Sequence, residues 1–262
     1  MSLKKFVDKN ISVIMTVLAF ASLLIVWELV SRFTKAGLFL PPASLILEKF
    51  ILSFKEPIGK YTMLTHIGVS LYRVGVAFGL STVFGIALGV SMGYSKLAEA
   101  ILKPIFEFIR PIPPLAWIPM SILWFGLGDK SKFFIIFLGC FCFITVNTYE
   151  GTKNVDKTLI GAARMLGASE RQVFFDIVLP SSVPYIFAGL QIAVTAGWSA
   201  VVGAEMVHSN EGVGWLIVMG MTYGKTVQIM VGMLAIGLVG FVLATGMAKL
   251  ERRLCAWNNQ GM

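Results

Sequence analysis

Six long apolar segments constrain the fold of this chain more than any other feature of its sequence. A helix that crosses the hydrocarbon core of a bilayer needs about 20 predominantly apolar residues. The candidate spans are residues 11–30, 67–92, 101–127, 133–147, 184–207 and 227–247. Only 14% of the residues are charged, whereas a soluble domain carries about 25%. The sequence therefore predicts an all-α polytopic membrane protein with about six transmembrane helices.

The first apolar segment raises the question of a cleavable signal peptide, because it follows Lys4, Lys5 and Lys9. The apolar core of a signal peptide is about 7 to 15 residues long, whereas this segment continues to Val30 and is long enough to span. We therefore expect an uncleaved helix that begins in the cytoplasm. Small residues at cleavage spacing keep the cleaved form open as an alternative.

The charge distribution agrees with this orientation. The chain has 22 Lys and Arg against 14 Asp and Glu. With the N-terminus inside, 13 of these cations fall in cytoplasmic segments and 8 in outer segments, which is the direction of the positive-inside rule. Both termini are then cytoplasmic. The cations lie scattered between apolar segments, so they suit contact with anionic lipid and not with nucleic acid.

A proline-rich stretch interrupts the third span. Pro111, Pro113, Pro114 and Pro119 lack backbone N–H donors, so no regular helix passes through this stretch. Broken backbone at membrane depth must be buried in protein or face a water-filled cavity. Two interpretations remain open: the stretch begins a span at the cytoplasmic interface, or it lines a route through the membrane.

Small residues recur every four positions in the second and fifth spans. This spacing puts them on one helix face, where they let helix backbones approach closely, so we expect both helices at the packed centre of the bundle. The residues are Gly85, Gly89 and Gly93 in the second span and Gly189, Ala193 and Gly197 in the fifth. Gly75 and Gly79 share the spacing, but the general abundance of glycine in membrane helices is an alternative explanation for this pair.

A polar segment between the fourth and fifth spans carries strong helix signals. Asp156 is a good N-cap and Gly167 fits the left-handed position after a helix. Leu159, Ala163 and Leu166 share one face of the helix between them.

A second helix should follow at once. Ser169 and Gln172 have the spacing of a capping box, and Pro180 and Pro184 predict the end of this helix. A simple connection between two spans does not require a structured helix-turn-helix, so we expect this segment to bind a partner. An amphipathic helix lying on lipid is the alternative.

The polar segment resembles the EAA loop of ABC-importer permeases, whose signature is E-A-A-x3-G-x9-I-x-L-P. The matching residues are Gly161-Ala162-Ala163, Gly167, Ile177 and Leu179-Pro180, with Gly161 in place of the usual Glu. Further segments resemble the subfamily that serves taurine, alkanesulfonates, nitrate and bicarbonate: Leu71-Tyr72-Arg73, residues 110–114, residues 123–128, Asn147-Thr148-Tyr149 and residues 250–253. The resemblance extends from about residue 40 to residue 253.

The resemblance implies a type I ABC-importer permease fold in a prokaryotic cytoplasmic (inner) membrane, with a cytoplasmic coupling helix between spans 4 and 5. It implies three regions: residues 1–66, a transmembrane helix with an outer amphipathic segment; residues 67–253, the permease core with coupling helices at 156–179; and residues 254–262, a cytoplasmic tail. The implied partners are a second copy of the chain, two cytoplasmic ABC ATPase subunits that hold ATP and Mg, and an external solute-binding protein.

The resemblance also implies which residues dock on the ATPase. These are Gly161, Ala162, Ala163, Arg164, Leu166 and Gly167. Closure of the ATPase dimer around ATP would pull on this helix and switch the pathway between inward and outward access. Gly161 removes a possible ion pair with the ATPase and weakens the local helix by up to about 1 kcal/mol.

Polar residues within spans are candidates for the substrate pathway, because ionisable groups are costly there. The candidates are Arg73, Trp198, Ser199 and Glu205, and an anionic substrate favours Arg73 over Glu205 as a contact. Snorkelling to the interface is the alternative for Arg73 and Glu28, and a packed core position is the alternative for Trp198. Three roles are open for Glu205: a gate, a contact with the binding protein, or a structural role.

The sequence predicts no catalysis, metal or cofactor in this chain. The nearest approach to the phosphate-binding loop G-x4-G-K-[ST], at residues 224–226, has Met219 where the first Gly is required. His66 and His208 do not form a metal-spaced cluster. A stand-alone channel or secondary transporter is the alternative function, but the mid-membrane carboxylates that couple such transporters are not visible.

Overall fold

The computed structural model describes the backbone of residues 3–254, and it describes side chains at residue 11 and from residue 15 to residue 254. This part of the chain contains helices and no β-strand. The α-helices are α1 (Leu3–Phe33), α2 (Ala43–Leu52), α3 (Met63–Tyr94), α4 (Lys96–Ile109), α5 (Ile118–Phe125), α6 (Asp129–Lys153), α7 (Lys157–Met165), α8 (Glu170–Gln172), α9 (Leu179–Val207), α10 (Val213–Thr222) and α11 (Thr226–Leu254). The all-α polytopic fold is confirmed. The predicted tail at 254–262 lies outside the described residues, except for residue 254.

Five helices in the described part of the chain are long and apolar enough to cross a membrane. They are Met15–Phe33 within α1, Met63–Tyr94, Asp129–Lys153, Glu170–Val207 and Thr226–Leu254. The predicted sixth span, at residues 101–127, is not one helix. It divides into the end of α4, a 3-10 turn at Pro114–Trp117 and α5, because its prolines cannot donate to a continuous helical ladder.

The chain divides into two compact units. One contains the residues up to Met63 together with Leu216–Ala235, and the other contains Leu64–Trp215 and the residues from Ile236 onward. The first boundary lies between Met63 and Leu64, and Leu216–Ala235 groups with the N-terminal unit.

In the larger unit, α6 packs against α3 and α9 through glycine. A Cβ at Gly89 of α3 would lie 2.6 Å from the Cβ of Thr148 on α6, and a Cβ at Gly189 of α9 would lie 2.8 Å from the Cβ of Asn147. The close approach predicted from the small-residue spacing is therefore present. Gly75 and Gly79 have no atom within 4 Å of the equivalent position, so they play no part in this packing.

The helix after the polar segment does not end at its prolines. A π-helical segment, Val173–Val178, joins α8 to α9, so helix runs without interruption from Glu170 to Val207. The predicted stop at Pro180 and Pro184 is wrong. A proline ring clashes with the carbonyl four residues earlier in a regular helix, and the wider π-helical turn precedes Pro180.

Candidate functional site

The coupling elbow, defined as residues 155–179, is built by local capping. Asp156 Oδ1 accepts a hydrogen bond from the Thr158 N–H at 2.8 Å and begins α7. Gly167 has φ of +85°, a left-handed conformation that favours glycine. The Ser169–Gln172 capping box is complete. These sequence predictions are confirmed.

Side-chain contacts fix the angle of the elbow. Arg164 on α7 donates two hydrogen bonds of 2.9 Å to the carboxylate of Glu170 at the start of α8. The hydroxyl of Tyr94, the last residue of α3, donates to the same carboxylate at 3.2 Å, and the Tyr94 ring packs edge-on against Phe174 with centroids 4.9 Å apart. These contacts join α7 to the start of α8 and to the end of α3.

The end of α7 exposes a small apolar patch among the polar residues of the elbow. Met165 and Leu166 are 85% and 89% exposed, and Ala162 is exposed beside them. Ala163, in contrast, packs against the buried side chains of Val155, Val173 and Val178. This side of α7 covers the interior of the elbow, so Ala163 is only partly accessible to a partner, and its docking role stays a prediction.

A second cluster lies near the other end of α9 and is centred on a buried arginine. The Nη1 of Arg73 donates to Glu205 Oε1 at 2.8 Å, and both side chains are at most 2% exposed. The Nε of Arg73 donates to Asp129 Oδ1 at 2.9 Å, and Glu211 provides a backbone carbonyl at 3.2 Å and a carboxylate oxygen at 3.4 Å. Lys132 lies 3.4 Å from Asp129.

Glu205 also binds the beginning of α10. The backbone N–H of Gly214 donates to Glu205 Oε2 at 3.0 Å, so the carboxylate satisfies a free donor at a helix N-terminus. The Ser70 hydroxyl contacts both carboxylate oxygens, at 2.8 and 2.9 Å. Gly212 has φ of +106°, and a Cβ there would overlap Glu205. The charge cluster thus joins α3, α6, α9 and the start of α10.

This arrangement corrects three expectations about polar residues. Arg73 does not snorkel to an exposed position, because carboxylates from elsewhere in the chain surround it. Glu205 is 1% exposed, so it does not present a surface to a binding protein. Glu28 is held by the start of α2, where Ser44 N–H donates to it at 3.1 Å and Arg32 pairs with it at 2.7 Å.

The two remaining pathway candidates have opposite environments. Trp198 is 3% exposed, and its Nε1 donates to the carbonyl of Ile236 at 3.0 Å. It is a core residue and does not line a pathway in this structure. Ser199 is exposed and, with Gln191 and Thr195, lines a broad groove of about 610 Å³ along α9. The sequence analysis missed Gln191 and Thr195, although their four-residue spacing was visible.

A polar cluster ties the start of α4 to the end of α6. Glu99 accepts hydrogen bonds from the Tyr149 hydroxyl, at 2.5 Å, and from the Lys153 ammonium. The hydrogen bond from Lys153 is the main cause of a lowered Glu99 pKa. Lys103 donates to the Tyr149 hydroxyl at 3.1 Å.

Comparison with known proteins identifies a family and several curated relatives. Residues 81–254 match the family described as "Binding-protein-dependent transport system inner membrane component". The chain is 37% identical to the taurine transport system permease protein TauC of Escherichia coli (strain K12), across 92% of this chain and 88% of that protein. It is 35% identical to the nitrate import permease protein NrtB of Synechocystis sp., across 91% and 88%. A putative aliphatic sulfonates transport permease protein, SsuC of Bacillus subtilis (strain 168), is 33% identical, across 80% and 76%.

Solved structures agree on the fold. An inward-facing form of the MetNI methionine ABC transporter matches with a TM-score of 0.62 and 18% identity, across 73% of this chain and 95% of that chain. The crystal structure of an amino acid ABC transporter with histidines matches with a TM-score of 0.64 and 14% identity, across 80% and 97%. At these identities the likeness concerns the fold.

Proposed function

This chain belongs to the family of binding-protein-dependent transport system inner membrane components, and we propose that two copies of it form the path of an importer for a small anion. As a member of this family it is a multi-pass permease subunit that works with ATPase and binding-protein partners. The relatives that carry taurine, aliphatic sulfonates and nitrate in their names support a sulfonate, taurine, nitrate or bicarbonate as the substrate.

The exposed apolar surface of the coupling elbow is the observation that carries this proposal. Met165 and Leu166 lie on a polar segment outside the five apolar helices, and they are among the most exposed large apolar side chains of the described residues. Apolar side chains in such a position indicate a contact with another protein. We assign this surface, with Ala162, Arg164 and Gly167, to the groove of a cytoplasmic ATPase.

Continuity between the elbow and a membrane helix supports the coupling mechanism. The helix that begins at Glu170 continues to Val207, and Tyr94 and Arg164 both bind Glu170. When ATP closes the ATPase dimer, displacement of α7 moves α9 and the end of α3 as one piece. Access to the pathway changes side as a result. ATP and Mg belong to the ATPase, and this chain needs no cofactor of its own.

The polar groove of α9 supports pairing of two copies. Gln191, Thr195 and Ser199 lie four residues apart on one exposed face of a membrane-spanning helix. Polar groups on such a helix avoid lipid and face protein or water. A second copy facing this groove encloses a path between the two chains, and Ser199 keeps the pathway role expected from the sequence.

The orientation follows from the same assignment. Because the elbow meets the ATPase in the cytoplasm, the end of α6 and the beginning of α8 are cytoplasmic, and an even number of crossings returns each terminus to that side. The broken stretch from α4 to α5 counts as one crossing. The chain is then a protein of the cytoplasmic (inner) membrane with both termini inside, in contact with lipid.

Reconstitution tests the function. The chain is purified with its ATPase, placed in vesicles and supplied with its binding protein and taurine, ethanesulfonate, nitrate or bicarbonate. We expect the loaded binding protein to stimulate ATP hydrolysis and ATP-dependent uptake of one of these solutes. Uptake without ATP would overturn the proposal in favour of a secondary transporter or channel.

A single substitution tests the docking surface. Leu166→Asp places a charge where an apolar contact is expected, so it should abolish co-purification of the ATPase without unfolding the permease. Leu38→Asp is the matched control, because Leu38 is 75% exposed and lies far from the elbow in the sequence. Full retention of the ATPase by Leu166→Asp would exclude this docking surface.

A further inference from the structure

The proline-rich break between α4 and α5 borders a cavity of about 230 Å³ in the larger unit. From the break it is lined by Arg110, Pro113 and Trp117, and from α6 by Gly139, Cys142, Phe143 and Asn147, among others. Pockets for drug-sized ligands measure roughly 300–1,000 Å³. This cavity is therefore suited to a small solute.

The cavity lies beside the middle of a membrane-spanning helix. Its lining on α6 runs from Leu138 to Asn147, and α6 itself runs from Asp129 to Lys153. At 1.5 Å per residue, both ends of the lining are roughly 9 Å or more from the ends of the helix. Arg110 lines the side of this cavity that is nearer to the end of α6, because it also lines a smaller cavity with Tyr149 and Glu150.

Arg110 has no fixed anionic partner in the described part of the chain. It is exposed, and it forms neither an ion pair nor a side-chain hydrogen bond with residues 15–254. Glu107 and Glu150 share a smaller neighbouring cavity with Arg110. Glu107 pairs instead with Lys103 at 3.7 Å, and Glu150 accepts a hydrogen bond from Asn154 at 3.0 Å.

The backbone around Arg110 is compatible with water and not with lipid. The last helical hydrogen bond of α4 runs from the Arg110 N–H to the Phe106 carbonyl. Residues 110–113 follow it, are exposed and do not form a helix. Irregular backbone within a membrane faces protein or a water-filled cavity. Of the two interpretations left open by the sequence, the cavity beside this stretch favours the lining of a route.

The lining has a polar end and an apolar wall. Asn147 uses one amide N–H to bind the Phe143 carbonyl at 2.8 Å, and its second N–H is left for a ligand. Trp117 and Phe143 supply aromatic surface beside these polar groups. Apolar walls lower the local dielectric constant and so strengthen the attraction of one guanidinium for an anion.

We propose that this cavity is a transient binding site for a short organic anion, such as a small alkanesulfonate, on its way through the membrane. Arg110 and Asn147 bind the anionic group, and Trp117 and Phe143 contact the short apolar part. The proposal rests on the proposed transport function and names the residues that touch the transported solute. Arg73 does not take this part, because its guanidinium is already bound by carboxylates.

Cys142 offers a direct probe, because it lines the same cavity and is half-buried. In the complete importer, Cys140 and Cys255 are replaced by Ala, and the rate of Cys142 modification is measured with two thiosulfonates. One carries a sulfonatoethyl group and is anionic, and the other carries a trimethylammonium group and is cationic. After correction for their rates with a free thiol, we expect the anionic reagent to react about tenfold faster.

Substitutions assign that preference to one residue. Arg110→Gln should remove the tenfold preference, and Arg110→Lys should keep most of it. Lys96→Gln is the matched control, since it removes one positive charge from the other end of α4 and should leave the preference unchanged. An equal preference in wild type and Arg110→Gln, or none in either, would overturn the proposal.

Uptake separates this proposal from the transport function itself. In vesicles with ATPase and binding protein, Arg110→Gln should lower ethanesulfonate or taurine uptake at least tenfold, whereas the control Lys96→Gln should leave this uptake unchanged. If wild type takes up the solute and Arg110→Gln takes it up equally well, the binding site is excluded and the transport function stands. If wild type neither transports nor responds to its loaded binding protein, the function fails, while the Cys142 rates still decide whether the cavity attracts anions.

Discussion

Arg73 on α3 and Glu205 on α9 form an ion pair of 2.8 Å across 132 positions of the sequence, with both side chains withdrawn from solvent. Burying two charges is costly, and the cost is offset only when hydrogen bonds satisfy the remaining polar atoms. Ser70, Asp129 and the Gly214 N–H supply these bonds. The pair therefore fixes the relative position of α3 and α9 near the end opposite the elbow.

Removal of one partner should strongly destabilise the permease. Glu205→Ala leaves Arg73 without its closest carboxylate and Gly214 without its acceptor, and breaking a buried pair in this way costs about 3–5 kcal/mol. We expect a large fall in the apparent melting temperature of the detergent-solubilised protein. Glu48→Ala is the control, because the Glu48–Lys49 pair is exposed and long, at 3.8 Å. Equal melting temperatures for the two variants would show that the cluster is not structural.

Two glycines of α3 should respond oppositely to the same substitution. In Gly89→Ala the new Cβ lies 2.6 Å from Thr148 Cβ and 2.7 Å from the Thr145 carbonyl, and such overpacking costs about 1–3 kcal/mol. In Gly79→Ala the Cβ meets nothing within 4 Å, so the gain in helix propensity, up to about 1 kcal/mol, should prevail. Thermal unfolding of both variants measures this. Destabilisation by Gly79→Ala would show that its open face contacts something outside the single chain.

Gly161 should be replaceable at no cost to the elbow. It lies within α7, and a Cβ there meets nothing within 4 Å. Gly161→Ala should stabilise α7 by up to about 1 kcal/mol and leave ATPase binding intact. Gly167→Ala is the comparison, because its φ of +85° disfavours a side chain by roughly 1–2 kcal/mol. The coupling ratio, the loaded-to-unloaded rate of ATP hydrolysis, should fall only in Gly167→Ala.

Acid should weaken the link between α4 and α6. Hydrogen bonds from Lys153 and Tyr149 hold the pKa of Glu99 below its usual value. A lowered folded-state pKa stabilises the fold above the unfolded-state pKa and ceases to do so as pH falls through the lowered value. Glu99→Gln should therefore melt below wild type at neutral pH, and the difference should begin to shrink below the ordinary Glu pKa of about 4.3 and disappear only below the lowered value.

The contribution of Glu99 to stability should be constant above its ordinary pKa. The melting-temperature difference between wild type and Glu99→Gln should therefore stay level from about pH 5 to 9. A constant difference down to roughly pH 3 would contradict the assigned protonation state, and Glu48→Gln is the control at an exposed carboxylate.

Local signals made the coupling elbow predictable. Asp156, Gly167 and the Ser169–Gln172 capping box act on backbone groups within a few residues, so their sequence spacing determines the geometry they produce. The membrane class followed just as directly from the long apolar segments. The predicted helix end at Pro180 was wrong because a π-helical turn precedes this proline. Such a turn depends on the register of the whole helix, and the position of a single proline does not reveal it.

Only the tertiary structure decided what the polar side chains do. From the sequence Arg73 was a snorkelling or pathway residue, and Trp198 was a pathway or core residue. Partners distant in the chain decided between these alternatives: Glu205 for Arg73, Ile236 for Trp198. The spacing of residues along a helix determines which of them share a face, whereas the burial of that face depends on the helices that pack against it.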